Sequence, residues 1–356
     1  MISVQIPYRH QMGGHCGSGA LRDLIEWAGL GWAGPPTEGL VFALGGALHF
    51  SYIRSKKLRP PLYLVGRGSD LEQDLFDRLN APYSMRSTED PDLGWKWVKE
   101  QLDDGVPVMV WADIGELPYL RAKLGMSRHD IVITGYDDDT QVAFVVDNDR
   151  DATQVVPYEN LRRARASTGF PTPTRHTTYI VDWPSMVPDL ATIAGPALTQ
   201  SADALTGATH TAHIVAIPNA AVAGQGLDGV TTFAADLARW SELFDNDTLE
   251  SALFALGALI EKAGTGGGLF RNLQADGCRR IAEILHCDAA SEAAHAARTA
   301  SCMWTRVAKA AFDPASSLRR RAAAAAAAAA QLPDAEARLA EALRTAGSQL
   351  SRSAPS

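Results

Sequence analysis

Two kinds of hydrophobic periodicity divide the chain. Up to about residue 185, short apolar or alternating runs mix with short amphipathic segments; from Pro184 onward apolar residues fall almost only at helical spacing. In the first part, Leu21, Leu24, Ile25 and Ala28 share one helical side, with Arg22, Asp23 and Glu26 on the other. This predicts a helix with Cys16 at or just before its first turn. Further helices are predicted at Asp70–Leu79 and Pro91–Leu102. Strands are predicted at Pro61–Val65, Pro82–Met85, Val108–Trp111, His129–Tyr136, Gln141–Val146 and Thr177–Val181, with Asp137–Asp139 as a hairpin turn. The apolar, glycine-rich run Gly39–Tyr52 reads as a buried turn or a substrate-lining loop, the turn being favoured.

In the second part, helices are predicted at 186–205, 227–243, 247–263, 269–286, 289–311, 316–331 and 333–348. Pro333 near a helix start fits the tolerance for proline there. Ile214–Val222 is the one apolar stretch in this part that could be extended, and Ser351–Ser356 is expected to be disordered. The pattern implies an α+β domain over residues 1–185 and an α-helical domain over 186–350.

Composition narrows the function. The chain has 356 residues, enough for two domains, and a net charge of −8, which argues against nucleic acid as partner. An acidic surface would also suit a cationic small molecule. The four cysteines, Cys16, Cys278, Cys287 and Cys302, form no CxxC pair and no zinc-like spacing. No signal-like core and no run of 18 apolar residues occurs, and the tract Ala322–Ala330 reads as a helix, so a cytoplasmic location without membrane association is expected.

The candidate chemistry begins in HQMGGHCGSGALRDLIEWA, His10–Ala28. A cysteine at a helix start meets free N–H groups and the positive end of the helix, which favour a thiolate. By this stretch alone Cys16 is a nucleophile or a buried structural cysteine. A nucleophile needs a base, and the base an orienting group. Of nine histidines, His129 is best placed, because it opens the apolar strand HDIVITGY. The neighbouring strand ends at Asp147, Asn148 or Asp149, and a hairpin brings its end beside His129. Asp147, the first residue beyond the apolar run, is the expected orienter. The order cysteine, histidine on a strand, acid or amide on the next strand is that of papain-like enzymes.

The run GGHCGSGALRDLIEWAG, the later VFALGGALHFSY and the His129 hairpin resemble the N-terminal domain of the butirosin biosynthesis protein H (BtrH-like) family. The second half is similar to the helical domain that usually follows it, in GLDGVTTFAADLARW, GTGGGLFRNL and the Trp304 region. The resemblance implies a papain-like cysteine acyltransferase fold with a mainly α-helical C-terminal domain. It implies an enzyme of antibiotic-type natural product biosynthesis: an acyl group on an acyl carrier protein passes to Cys16, then to a small-molecule amine, forming an amide. The implied triad is Cys16 as nucleophile, His129 as base and Asp147 as orienter. The glycine-rich run departs from the expected pattern at Ala47 and His49.

Papain-like enzymes usually donate an oxyanion hydrogen bond from a side chain shortly before the cysteine. Gln11, five residues upstream, can do so alongside the Cys16 N–H, and His10 is one residue further. His15 faces the site or braces its loop. Gly264–Gly268 precedes a helix carrying Arg271, so Gly264, Thr265, Gly266 and Arg271 are candidates for meeting the active site or a carrier's phosphopantetheine arm. A tight interdomain turn is the plainer reading, and without a Lys-Ser/Thr sequel the loop is not a nucleotide-hydrolysing one. No metal or cofactor is expected, phosphopantetheine entering only within a carrier-bound substrate. The acyl carrier protein and the amine are the expected partners, and a homodimer is left open. The rival functions are a cyclase joining a tethered amine to its own thioester, a papain-like hydrolase or peptidase, and a non-catalytic carrier-binding module.

Overall fold

The structure is a computed structural model and describes residues 3–55, 58–68, 70–122, 125–207 and 221–353. In chain order, β1 (Ser3–Gln5) precedes α1 (Cys16–Trp27), α2 (Glu38–Leu44), β2 (Leu48–Arg54), β3 (Leu62–Arg67), α3 (Leu71–Arg78), β4 (Tyr83–Arg86) and α4 (Pro91–Asp103). Then come β5 (Val108–Ala112), β6 (His129–Asp137), β7 (Val142–Val146), β8 (Gln154–Pro157), α5 (Tyr158–Arg165) and β9 (Thr178–Val181). The remainder is α6 (Leu190–Thr206), β10 (Ala221–Gln225), α7 (Gly226–Leu237), α8 (Trp240–Leu243), α9 (Asn246–Glu261), α10 (Arg271–Leu285), α11 (Asp288–Phe312), α12 (Leu318–Ala329) and α13 (Leu332–Ser353).

Local chemistry sets the helix starts. The Asp90 carboxylate caps α4 through the N–H groups of Asp92 and Leu93, and Pro91 supplies a first-turn φ. Thr37, Asp189 and Asp245 cap α2, α6 and α9 in the same way.

The chain divides into two compact units, and the division falls within α3. The first takes the chain up to Pro36 and Phe76–Val187. It is built on a seven-stranded sheet of order β4-β9-β5-β6-β7-β8, with β1 added on β6. β6 is its longest strand. β5 pairs with it over His129–Ile133 and β1 over Gly135–Asp137. At Gly135 a Cβ would lie 2.2 Å from the Val4 carbonyl, so only glycine lets β1 approach there. Val110, Ile131, Ile133, Val145 and Val98 of α4 form the core.

The second unit takes Thr37–Leu75 and the chain from Pro188 on. It sets the antiparallel sheet β10-β2-β3 among helices. Phe50 and Tyr52 of β2 pack on Phe233, and Phe233 on Trp240 and Trp304. α2 and α10 cross at Gly39 and Gly277, where a Cβ on Gly277 would stand 2.2 Å from the Gly39 carbonyl.

Several elements depart from the sequence reading. Gly39–Tyr52 is not a loop: it forms most of α2 and β2, and Thr37–Leu75 as a whole joins the helical unit. The helix expected at 227–243 is broken between α7 and α8. Ser351–Ser353 continue α13, while 354–356 lie outside the described residues. Most of the expected extended stretch Ile214–Val222 also lies outside them, and β10 begins at Ala221.

Candidate active site

α1 begins at Cys16. Its cap is His15, whose Nδ1 accepts the Ser18 N–H at 3.1 Å. The helix is tied into the first unit by a buried set: Arg22 donates to Asp23 at 2.8 Å and to the carbonyls of Met12 and Gln11. His10 bridges Asp23 and the Arg150 carbonyl, each at 2.6 Å, so both of its ring nitrogens are engaged. Burial opposes the charged form of His10, but the Asp23 and Arg150 bonds outweigh it and its pKa is raised.

His129, the first residue of β6, meets Asp147, the first residue after β7. Nε2 of His129 lies 2.8 Å from Asp147 Oδ2, with the Asp147 side chain fully buried. Cys16 acts on the same imidazole, its influence adding to that of Asp147. Nε2 being taken by Asp147, Nδ1 is the nitrogen left for the thiol. The structure thus brings Cys16, His129 and Asp147 together within one unit. Burial works against a charged His129, yet the Asp147 carboxylate, its hydrogen bond and the Cys16 contact together hold its pKa well above the ordinary 6.5. Burial likewise raises the Asp147 carboxyl, but His129 and the Tyr119 hydroxyl outweigh it, and the net shift is downward.

Sequence reasoning missed two groups, Tyr119 and Asp130, and the role of a third, Asn148. Tyr119 donates to Asp147 Oδ2 at 2.7 Å, a second bond on the orienting oxygen. Tyr119 stands in an irregular segment with no periodicity to mark it. Asp130, 1% exposed, accepts from Cys16 Sγ at 3.7 Å. Its signal was readable: an acid inside the apolar run HDIVITGY. Asn148 binds the glycine loop, its Nδ2 donating to the Gly13 carbonyl at 3.2 Å and its own carbonyl accepting from Gly13 N–H at 3.0 Å. Asn148 thereby holds the loop rather than the histidine, and Asp149 uses only its backbone N–H on Asp147, at 3.2 Å.

The expected placement of Gln11 is corrected, and one of the two alternatives for His15 is selected. Gln11 is exposed, and its amide donates to Glu26 at 3.4 Å. Glu26 lies ten residues along α1 from Cys16, about 15 Å of helix, so this amide is not at the thiol. The cause is that residues before the glycine pair run back along α1. His15 is 3% exposed and acts as the helix cap, which is the bracing role.

The loop Gly264–Phe270 belongs to the helical unit. Gly264, Gly266, Gly267, Gly268, Leu269 and Phe270 all have positive φ, a compact left-handed turn that glycine makes accessible. Thr265 Oγ1 donates to the Ile260 carbonyl at 2.7 Å, and a Cβ on Gly266 would strike Leu273 at 2.5 Å. Arg271 is not available to an anion. It is fully buried, pairs with Glu336 at 2.8 and 3.0 Å, and donates to the carbonyls of His49, Gly66 and Leu269. His49, one of the departures from the expected glycine pattern, lies 2.8 Å from Ser51 Oγ; burial and Arg271 lower its pKa to about 4.

Among the described residues, no helix is long and apolar enough to cross a membrane. No curated protein matches the chain. The family profile for butirosin biosynthesis protein H, N-terminal, matches residues 15–148, which include Cys16, His129 and Asp147. A second, for a domain of unknown function (DUF4872), matches residues 159–343, more than half of the chain. With the two domains in this order, the chain belongs to the BtrH-like family, which is named for butirosin biosynthesis.

Proposed function

We propose that the protein is a cysteine-dependent acyltransferase of papain-like design, moving an acyl group from an acyl-carrier-protein thioester to a small-molecule amine. The observation that supports this is the His129–Asp147 bond of 2.8 Å, with Cys16 at the start of α1 acting on the same imidazole and bonded to Asp130, the next residue of β6. Cys16 sulfur attacks the thioester carbonyl, and the carrier's phosphopantetheine thiol leaves with the proton held by His129. The product is an acyl-Cys16 thioester, so this exchange is close to isoenergetic. The amine then attacks the same carbonyl, gives a proton to His129, and departs as an amide while Cys16 is released. The Cys16 N–H, one of the first-turn donors without an intrahelical partner, is the proposed oxyanion donor. Asp147, held by Tyr119, fixes the imidazole and stabilises its charged form.

The test is intact-protein mass spectrometry after incubation with acyl thioesters, followed by addition of amines. The expected result is a single acyl adduct on wild type, absent from Cys16→Ala, and released as amide. Release by water alone would make the protein a hydrolase, and release as a cyclised product a cyclase. No adduct with any carrier-bound acyl thioester that nonetheless binds would leave a non-catalytic carrier-binding module.

A further inference from the structure

Within the first unit a concavity runs from the β6–β7 turn at Asp138 and Gln141 to Arg165 and His176. There α4, α5 and the turn at His176 enclose a cavity of about 450 Å³. That volume is in the range of small-molecule sites.

One wall is aromatic: Trp95 and Tyr158 meet edge to face with centroids 4.9 Å apart. Each carboxylate in the lining has a cation. Asp138 pairs with Lys99 at 2.6 Å, Asp92 with Arg162 at 3.7 Å, and Glu159 with Arg163 at 2.6 Å. Arg165 has none. It is 1% exposed, and its bonds go to neutral oxygens: the Gly94 carbonyl at 3.4 Å, the His176 carbonyl at 2.9 Å and Thr178 Oγ1 at 2.6 Å. Its Nε is buried without a hydrogen-bond partner, and so is Nε2 of His176. Burial alone brings the Arg165 pKa down to about 9, and burial with Arg165 and Arg162 lowers His176 to about 4. A buried guanidinium facing no carboxylate is costly unless an anion completes it.

The backbone supports the same reading. Arg175 and His176 both have positive φ, 44° and 49°, a strained pair for non-glycine residues. The conformation holds His176 against Gly94, where a Cβ would meet it at 2.6 Å.

We propose that this cavity is a second ligand site, separate from Cys16, for a small organic anion. Its carboxylate or phosphate would sit on Arg165, with Arg162 at the mouth and a ring or apolar body against Trp95 and Tyr158. The site stands independently of the acyltransferase reading, because none of its residues belongs to the Cys16 site.

The full-length protein would be titrated calorimetrically with benzoate, phenyl phosphate and the uncharged benzamide. The expected result is that at least one anion binds, about tenfold or more tighter than benzamide, with affinity falling as salt rises. Benzoate binding would identify the carboxylate form, phenyl phosphate binding the phosphate form. Arg165→Gln should lose the anion. Because that variant touches a buried group, Arg162→Gln is the companion: it lies at the surface and should weaken binding several-fold while thermal unfolding stays unchanged. Photolysis with 4-azidobenzoate should label peptides containing Trp95, Tyr158 or His176. Absence of anion binding to folded wild type, equal binding of benzamide, an unchanged affinity in Arg162→Gln, or labelling elsewhere would overturn the proposal.

Discussion

Asp147→Asn removes a charge while keeping the side chain's size, which makes it the sharpest probe of the histidine's partner. Asp147 Oδ2 accepts from His129 at 2.8 Å and from Tyr119 at 2.7 Å, and Oδ1 accepts the Asp149 N–H at 3.2 Å. If the new amide oxygen takes the Oδ2 position, two hydrogen bonds become neutral. Bonds to a charged acceptor are worth roughly 1 kcal/mol more than neutral ones, so the pair loses about 2 kcal/mol. The amide nitrogen then opposes the Asp149 N–H, which forfeits that bond at about 1 kcal/mol. A loss of about 3 kcal/mol in holding the imidazolium corresponds to roughly a hundredfold slower acylation. The assay is rapid-quench single-turnover acylation by an acyl thioester, read by intact mass. Asn148→Ala and Asp149→Asn, run beside it, should fall far less, since Asn148 holds the glycine loop and Asp149 contributes its backbone. Acylation by folded Asp147→Asn within about threefold of wild type would refute the assignment, as would a greater loss in either neighbour.

Tyr119→Phe should slow acylation about tenfold without unfolding the protein, because one bond to the orienting carboxylate is lost and the rest remain; the same rapid-quench assay reads it. Arg271→Ala should destabilise the protein by about 3–5 kcal/mol in urea unfolding, since it strands a Glu336 side chain that is 0% exposed; a loss under about 1 kcal/mol would contradict the buried pair. Stability should depend on pH through His129 and Asp147. The raised His129 pKa gives stability that is complete below 6.5 and lost as pH rises through the folded value. The lowered Asp147 pKa gives stability present above 3.8 and lost as pH falls through its folded value. Wild type should therefore lead Asp147→Asn most in the interval between, with the lead shrinking toward alkaline pH, as measured by denaturant midpoints in a series of buffers.

Local patterns reached the parts of the site that local chemistry builds. The helix after Cys16 has its apolar stripe in sequence, and the β6–β7 hairpin has two apolar runs joined by three aspartates, so His129 and the end of β7 had to meet. Asp147 over Asn148 followed from the last apolar position, Val146, which is also the last residue of β7. What stayed hidden depends on distant partners. Arg271 beside a glycine run reads as an anion ligand, yet Glu336, 65 residues later, neutralises it in the core. Gln11 is near Cys16 in sequence, but its chain segment folds back along α1 to Glu26. Gly39 resembles a loop glycine, and its real constraint is the approach of α10 at Gly277. A glycine that admits a backbone and a glycine that makes a turn leave the same mark in a sequence.

The environment of His129 also bears on how one imidazole could serve both halves of an acyl transfer. In the first half the ring must hold a proton for the departing carrier thiol; in the second it must be neutral to accept one from the amine. Two groups raise its pKa against burial: Asp147 through charge and hydrogen bond, and Cys16 through both as well. Acylation converts Cys16 sulfur to a neutral thioester that can neither carry charge nor offer the thiol's bond. The Asp147 contribution persists while the Cys16 contribution ends, so the imidazole of the acyl-enzyme releases its proton more readily than that of the free enzyme. On this mechanism the pH profile of amine-dependent deacylation should turn at a lower pH than the ionisation of His129 in the resting protein, the latter followed by NMR of the imidazole carbon-bound protons. Asp130, buried beside the same sulfur at 3.7 Å, adds a fixed carboxylate that would draw an ammonium acceptor toward the thioester rather than an uncharged one. Deacylation that turns at the same pH as the resting histidine would mean that Cys16 does not tune its own base.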